Sequence, residues 1–517
     1  TLANDLLSAV AEEMALALEL AAHSSNIKDR RDLSTAVFDA DGQLLAQGAH
    51  IPVHLGSMQA SVEAVREAIS LAPDESAIVN SPYHGGTHLP DLTLVTCVDL
   101  GASQGFGYVA SRAHHADIGG SAPGSMPLSD RLEDEGILIP PTRFATGEAI
   151  DPAFLERITS SSRQPDERRG DLLAQLGANL RGAARLQELV KGRPAGWFRE
   201  TSTTLRAYAA SMIQTAWREW PDGTATGSSA LDGDGLTVGA IPITVRATLA
   251  TGIDGSRSLT LDFSGTSAAV PGPVNCPRAV TLAGVSFVLR CLAPPGTPTN
   301  AGMLRDVTLA IPTGCLIDAP YPHPTAAGNV ETSQKIVAAL FDALRGVMPS
   351  RIPAGSQATM NNVLFGGTDP ATGAPFTYYE TLAGGSGAGP HGPGASALHT
   401  HMTNSRNTPI EVVEQRFPVR IERYAVRTGS GGVPLTVAGH FGGDGIVRGY
   451  RFLAPVTLTL IADWPASDAA SSPQSGAAWL TDRDGKRQPL PSKWSGAVAA
   501  GSLLEIATPG GWAWDPS

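Results

Sequence analysis

The 517-residue sequence predicts a multi-domain α+β protein of mixed α/β character, with a helical arm and a β-rich C-terminal region. Three observations carry that expectation. The chain is far longer than one small core requires, so several domains are the default. Its apolar residues keep a helical period from about Pro152 to Trp220 and switch to a period of two from Leu236. Its 57 glycines and 39 prolines favour turns and short strands over long helices. The expected division is an N-terminal α/β domain with a metal site (1–150), a helical subdomain (151–230), a mixed α/β domain (231–350) and a Gly-rich, β-rich end domain (351–517).

Taken in order, residues 1–24 carry Leu6, Leu7, Val10, Met14 and Leu18 at helical spacing, an amphipathic helix. The apolar runs STAVF and QLLAQ flank Asp39-Ala-Asp41-Gly42, which reads as a hairpin turn. Its Asp-x-Asp-Gly lettering suggests a calcium loop, yet the later ligands and the closing Glu are missing. A second helix is expected over 57–72, and a strand from Ala77 to Asn80.

Residues 80–120 are the chemical centre of the sequence. His84, His88, His114 and His115 stand there with Asp91 and Asp117, and the apolar run Leu92–Val98 separates the two clusters. The pattern reads loop, strand, turn, strand, loop, which gathers imidazoles and carboxylates at one end of a strand pair. Six of the twelve histidines (50, 54, 84, 88, 114 and 115) fall within 66 residues. His88 and Asp91, three apart across Leu-Pro, can face one point, and His114 follows after roughly two strands. With a further carboxylate, such N and O donors suit zinc, manganese or iron; the competing reading is strand caps and satisfied loop amides.

Beyond Glu133, Asp134 and Glu135 the chain turns helical, then β from LTVGAIPITVRATLAT, with SRSLTLDFSGTS completing a hairpin. Cys276–Leu292 is apolar enough for a buried helix, and residues 328–346 form an amphipathic one behind a polar first turn. Residues 378–409 hold a run of glycines followed by His399, His401, Thr403, Asn404 and Arg406; they read either as turns or as an oxyanion cradle. GAGPHG matches a dinucleotide fingerprint by letter, but Pro390 and Pro393 forbid the helix that must follow. There is no G-x-x-x-x-G-K-[ST] and no G-x-S-x-G, hence no recognisable nucleotide site. DFSGT (262–266), GNVETSQ (328–334) and MNN (360–362) read singly as caps or turns.

A net charge of −12 without a basic stripe argues against nucleic acid as a partner. No apolar run approaches a membrane span, and acids interrupt the first helix, so a soluble cytoplasmic protein is expected. Four scattered cysteines without a CxxC pair read as buried thiols in a reducing compartment.

Several segments in this order resemble one family: NIKDRRDLSTAVFDADGQLLAQ, HIPVHLGSM, PYHGGTHLPDLTLV, AHHADIGGSAPGSMP, GNVETSQKIV, YYETLAGGSGA and HTHMTNSRNTPIE. Together they are similar to the hydantoinase B/oxoprolinase family, over about residues 3 to 453. The resemblance implies the B-type subunit of an ATP-dependent cyclic-amide hydrolase acting on hydantoin, 5-oxoproline or a related lactam. A separate A-type ATPase subunit would bind ATP and phosphorylate the substrate, in a hetero-oligomer with a heterotetramer as the expected form. A subunit of a ketone carboxylase and a non-catalytic scaffold for the A-type subunit are the alternatives. The resemblance also implies a divalent metal on Asp29, His88, Asp91 and His114, with His84, His115 and Asp117 as catalytic candidates. His115 rivals His114 as a ligand, and Asp29 stands where relatives often have Glu. The chain departs from the family pattern at 463–477, DWPASDAASSPQSGA.

Overall fold

The structure, a computed structural model, describes residues 2–48, 50–464, 469 and 471–516. Among the described residues it contains four open sheets. The first layer follows from the apolar side of α1 (Leu2–Ala21), which buries Leu7, Val10, Met14 and Leu18. A short α2 (Ser25–Lys28) leads into the hairpin β1 (Leu33–Phe38) and β2 (Leu44–Gln47). Asp39 closes that turn by accepting the Asp41 and Gln43 amides at 3.0 and 2.9 Å, so DADG is a turn, as its missing ligands indicate.

After α3 (Ser57–Ala68), the strands β3 (Glu75–Val79), β4 (Asp91–Asp99), β5 (Phe106–His114), β6 (Thr142–Thr146) and β7 (Ala149–Ile150) complete a sheet of order β2-β1-β5-β4-β3-β6-β7. Strand alternation sorts its two faces. Val37, Val98 and Val109 pack with α1, whereas Phe38, Val95, Cys97 and Ala110 pack with α3. The helical stretch comprises α4 (Pro152–Thr159), α5 (Pro165–Val190) and α6 (Trp197–Trp217). α5 lies along α1 and across β4 and β5, covering the first face, and α6 carries Ile213 and Trp217 into the next core.

The second sheet, ordered β11-β10-β9-β8, joins β8 (Gly223–Gly233), β9 (Val238–Thr251) and β10 (Arg257–Asp262) with β11 (Val307–Ala310). β8 begins inside the stretch read as helical, because GTATGSSALDG carries no apolar run to announce a strand. α7 (Arg278–Leu292) packs on α8 (Ser333–Val347), and α8 lies on β8 and β9. A single π-helical turn, Gly328–Thr332, precedes α8, with the Ser333 amide bonded to the Gly328 carbonyl five residues back.

The C-terminal region is two stacked sheets. One contains β12 (Asn362–Thr368) and β13 (Pro375–Thr381). After α9 (Ile410–Arg416), β14 (Val419–Val426) and β15 (Ile446–Phe452) begin the other, and β16 (Val456–Ile461) returns to the first. β17 (Ala477–Thr481), β18 (Arg487–Leu490) and β20 (Leu503–Ala507) finish the second sheet, and β19 (Lys493–Val498) the first. Val363, Phe365 and Tyr378 meet Tyr450, Phe452 and Ile506 in the core between them. Their neighbours Leu364 and Tyr379 point the other way, into the core that α7 and α8 build.

The glycine run serves backbone packing. A Cβ on Gly385 would stand 1.9 Å from the Gly443 carbonyl oxygen, and one on Gly387 1.9 Å from that of Ala354. Three loops thus approach main chain to main chain, which only glycine permits. All four cysteines are free; Cys97, Cys276 and Cys315 are buried, while Cys291 is exposed at the end of α7. No helix among the described residues is long and apolar enough to cross a membrane.

Candidate metal centre

The site begins with a register. Asp91, the first residue of β4, stands directly opposite His114, the last of β5. The His114 N–H bonds to the Asp32 carbonyl on the β1 side at 3.0 Å, and the Asp91 N–H to His88 at 3.1 Å. Neither amide is spent on the other residue, so this is a pair without mutual hydrogen bonds, the kind in which side chains approach most closely. Pleating puts both on the α3 face, where Arg112 of β5 reaches Ser57 and Ser61 at 2.6 and 2.7 Å. His88 arrives from the preceding loop. The three residues can each offer one ligand atom, all within 4.8 Å of one another, and all three are buried.

Their neighbours leave the ligand atoms free. His88 Nδ1 lies 3.1 Å from the Ala326 carbonyl, an acceptor only, so Nδ1 carries the proton and Nε2 is the free nitrogen. Glu135 fixes that carbonyl's loop by accepting the Thr325 and Ala326 amides at 2.7 and 2.8 Å, and burial pushes its carboxyl up to about 8. His114 Nδ1 meets the Asn26 carboxamide at 3.2 Å, and its ring stacks on Tyr379 with centroids 5.0 Å apart. Asp91 Oδ2 accepts from Thr87 at 2.5 Å and Asn329 at 3.3 Å, leaving Oδ1. His88 Nε2, Asp91 Oδ1 and His114 Nε2 are consequently buried with no hydrogen-bond partner. Burial alone would raise the Asp91 carboxyl, but the His88 and His54 imidazoles hold it well below the usual carboxylate range. Burial also drives the His114 pKa well down, so its ring is neutral and able to donate a lone pair. Two imidazole nitrogens and one carboxylate oxygen left free in this way fit a borderline divalent cation such as zinc, manganese or iron.

The other expected residues stand elsewhere. Asp29 caps α2 outside this group; burial raises its carboxyl, and the cation nearest it is Arg416, at 3.9 Å. His115, one residue past β5, points to the opposite face, with Nε2 2.8 Å from Gln175 Oε1 of α5. Burial and the Arg168 guanidinium take its pKa down to about 4. Asp117 clamps a loop, accepting from Arg163 at 2.6 Å and from the Gly119 amide at 3.0 Å. His84 bonds Ser81 Oγ at 2.8 Å and lines a separate cleft with Glu63, Glu67, Arg278 and Asp318.

Sequence reasoning missed Asp32 and Asn329, and noted His54 without a role. Register from Leu33↔Ala113 puts Asp32 beside His114, so Asp32, His114 and Asp91 form a row across three strands. Burial raises Asp32, opposed by Arg30, and Asp91 raises it further. The signal was the strand's own period, which puts Asp32 in line with His114, while Asp29, three residues earlier, keeps a buried Oδ2 without a hydrogen-bond partner. His54 Nε2 lies 3.5 Å from Asp91 Oδ2, and its Nδ1 2.9 Å from Ser34 Oγ.

A buried charge network backs the site. Glu331, in the π-turn, accepts from Asn362 at 2.9 Å, and Asn362 Oδ1 takes the Tyr379 hydroxyl at 2.9 Å. Burial, then the Asp463 charge, push Glu331 up to about 8. Asp463 is paired with Lys335 at 2.5 Å and Lys493 at 3.1 Å. Of the divergent 463–477 segment, residues 465–468 and 470 lie outside the described residues.

The family model for hydantoinase B/oxoprolinase matches residues 1–516. The 5-oxoprolinase 1 of Arabidopsis thaliana is 34% identical over 538 residues, an alignment covering 98% of this chain and 41% of the plant protein. The chain therefore spans about two fifths of that relative's length. The crystal structure of the ATP-dependent caprolactamase from Pseudomonas jessenii superposes with a TM-score of 0.88 at 23% identity, covering 98% of this chain and 89% of that one. A nucleotide-free acetone carboxylase gives 0.84 at 15% identity, covering 98% of this chain and 74% of that one. Both share the fold.

Proposed function

The chain belongs to the hydantoinase B/oxoprolinase family, and on that premise we propose that it is the ring-opening component of an ATP-dependent cyclic-amide hydrolase. The observation that carries the reading is the buried group His88, Asp91 and His114, each with a ligand atom left free. Relatives named 5-oxoprolinase support the substrate class. The absence of a nucleotide motif supports a partner of A type that binds ATP and activates the substrate carbonyl.

His88, Asp91 and His114 would hold a divalent cation, which supplies Lewis-acid polarisation of a carbonyl or a more acidic bound water. The remaining steps belong to the chain. Asp91 stays ionised because His54 and His88 flank it. His54, whose other nitrogen reaches Ser34, can hold a proton beside the carboxylate. Tyr379 sets the His114 ring plane, and its own hydroxyl is fixed by Asn362. Water adds to the phosphorylated carbonyl carbon, the ring C–N bond breaks with the released nitrogen taking a proton, and a second water cleaves the acyl phosphate left behind into a carboxylate and inorganic phosphate. A ring amide is resonance-stabilised and hydrolyses slowly without activation, which gives the coupling to ATP its purpose.

The test is the mass of the product formed by the chain with its A-type partner and ATP. A cyclic amide that gains one water supports the reading. A small ketone that gains labelled carboxylate from bicarbonate, with no cyclic amide opened, overturns it in favour of a carboxylase.

A further inference from the structure

Four contacts close a ring beside the three ligands. Asp91 Oδ2 accepts the Asn329 amide at 3.3 Å. Further along, Gln334 gives its amide to the Thr400 carbonyl at 3.1 Å. In that same loop the Met402 carbonyl accepts the Val53 N–H at 3.2 Å. His54, next to Val53, returns to Asp91 Oδ2 at 3.5 Å.

The π-turn makes this ring possible. On a regular α-helix, residues five apart diverge around the axis, whereas a five-residue hydrogen-bond register turns them toward one side. The Ser333-to-Gly328 bond has that register and spans Asn329, directly before Gln334.

Three polar atoms on the ring are buried without a partner: Asn329 Oδ1, Gln334 Oε1 and Thr400 Oγ1. The orientation of both amides is fixed by what their NH2 groups serve, a carboxylate and a backbone carbonyl, neither of which can donate. The free atoms are therefore carbonyl oxygens. A buried acceptor left unmade costs about 1–3 kcal/mol, so two such atoms together call for donors from a ligand or ordered water.

We propose that Asn329 and Gln334 are the specificity-determining residues of this site, reading the ring N–H of a cyclic amide or ureide held beside His88, Asp91 and His114. The proposal rests on the cyclic-amide reading above and deepens it. A ketone offers only an acceptor to these oxygens, and an N-alkyl lactam offers no donor; both meet two carbonyl dipoles of the wrong sign. Thr400 Oγ1, a donor as well as an acceptor, can serve the substrate carbonyl.

The experiment compares kcat/KM for 5-oxoproline, hydantoin and caprolactam with their N-methyl counterparts, using the full chain with its A-type partner and ATP. Wild type is expected to reject the N-methyl form by about 100-fold or more, as sites built around a substrate N–H do. Gln334→Met should bring that ratio below about 10-fold by slowing the N–H substrate and sparing the N-methyl one. Gln334→Glu retains an acceptor oxygen and should keep most of the discrimination. A Gln334→Met ratio equal to wild type overturns the proposal while leaving the hydrolase reading intact, as does a Gln334→Glu enzyme no more selective than Gln334→Met. If wild type opens none of the three rings, the hydrolase reading itself falls and the proposal with it.

Discussion

Asp91 and His114 face each other across the β4–β5 pair, and neither amide bonds to the other residue. That register, with His88 three residues ahead of Asp91, lets a loop and two strand ends converge on one buried point. Asp91→Asn removes the charge without changing shape. It is expected to weaken divalent-metal affinity by more than about 100-fold, at or beyond the loss usual for residues that only support a ligand. Titration with zinc or manganese, beside a thermal-unfolding control, checks it; unchanged affinity would sink the assignment.

Asp32 and Asp29 make opposite predictions. Asp32 lies in the row with His114 and Asp91 and is buried, whereas Asp29 is partly exposed toward Arg416. Asp32→Asn should shift metal affinity measurably. Asp29→Asn loses a contact at 3.9 Å worth about 1 kcal/mol or less and should leave metal affinity unchanged. The reverse ranking would restore Asp29 as the ligand the family resemblance implies.

Acid–base linkage gives a signed prediction. Glu135 and Glu331 titrate near 8 in the fold against 4.5 ordinarily, so between those values the folded chain binds more protons and stability falls as pH rises. His115, His399 and His401 titrate near 4 against 6.5, so the unfolded chain binds more protons there; their contribution grows with pH and is complete above 6.5. From pH 6.5 to 8 the two glutamates therefore lower stability as pH rises. Glu331→Gln should flatten that slope by up to about 1.4 kcal/mol per pH unit in urea-unfolding experiments. A slope identical to wild type would show that Glu331 ionises normally.

The glycine run offers a clean separation of packing from binding. Gly385→Ala drives a methyl against the Gly443 carbonyl oxygen, since the Cβ would sit 1.9 Å from it. A loss of about 1–3 kcal/mol or more in stability is expected, typical of overpacking. Inorganic phosphate should protect neither wild type nor variant against unfolding; clear protection of wild type alone would instead support an oxyanion cradle.

Much of the site was legible because the chemistry sat at strand ends. HLPD before an apolar run, and HHAD after a second one, fix a hairpin whose ends carry His88, Asp91 and His114. Period two also separates His114 from His115, since adjacent residues point to opposite faces. What lay beyond reach came from distant chain. Asn329 and Tyr379 join the site from the π-turn and β13, hundreds of residues on, and GNVETSQ read alone is only a helix start. The glycine run was ambiguous for a related reason. Whether a glycine faces an anion or another main chain depends on Gly443 and Gly511, which no local pattern reveals.

The most direct test is elemental analysis of the purified full-length chain beside its Asp91→Asn and His114→Ala variants, after loading with a divalent metal and desalting. The account predicts about one equivalent of metal retained by wild type and almost none by either variant, all three unfolding cooperatively, as a three-ligand site requires. Wild type as metal-poor as the variants, or variants that retain a full equivalent, would contradict it.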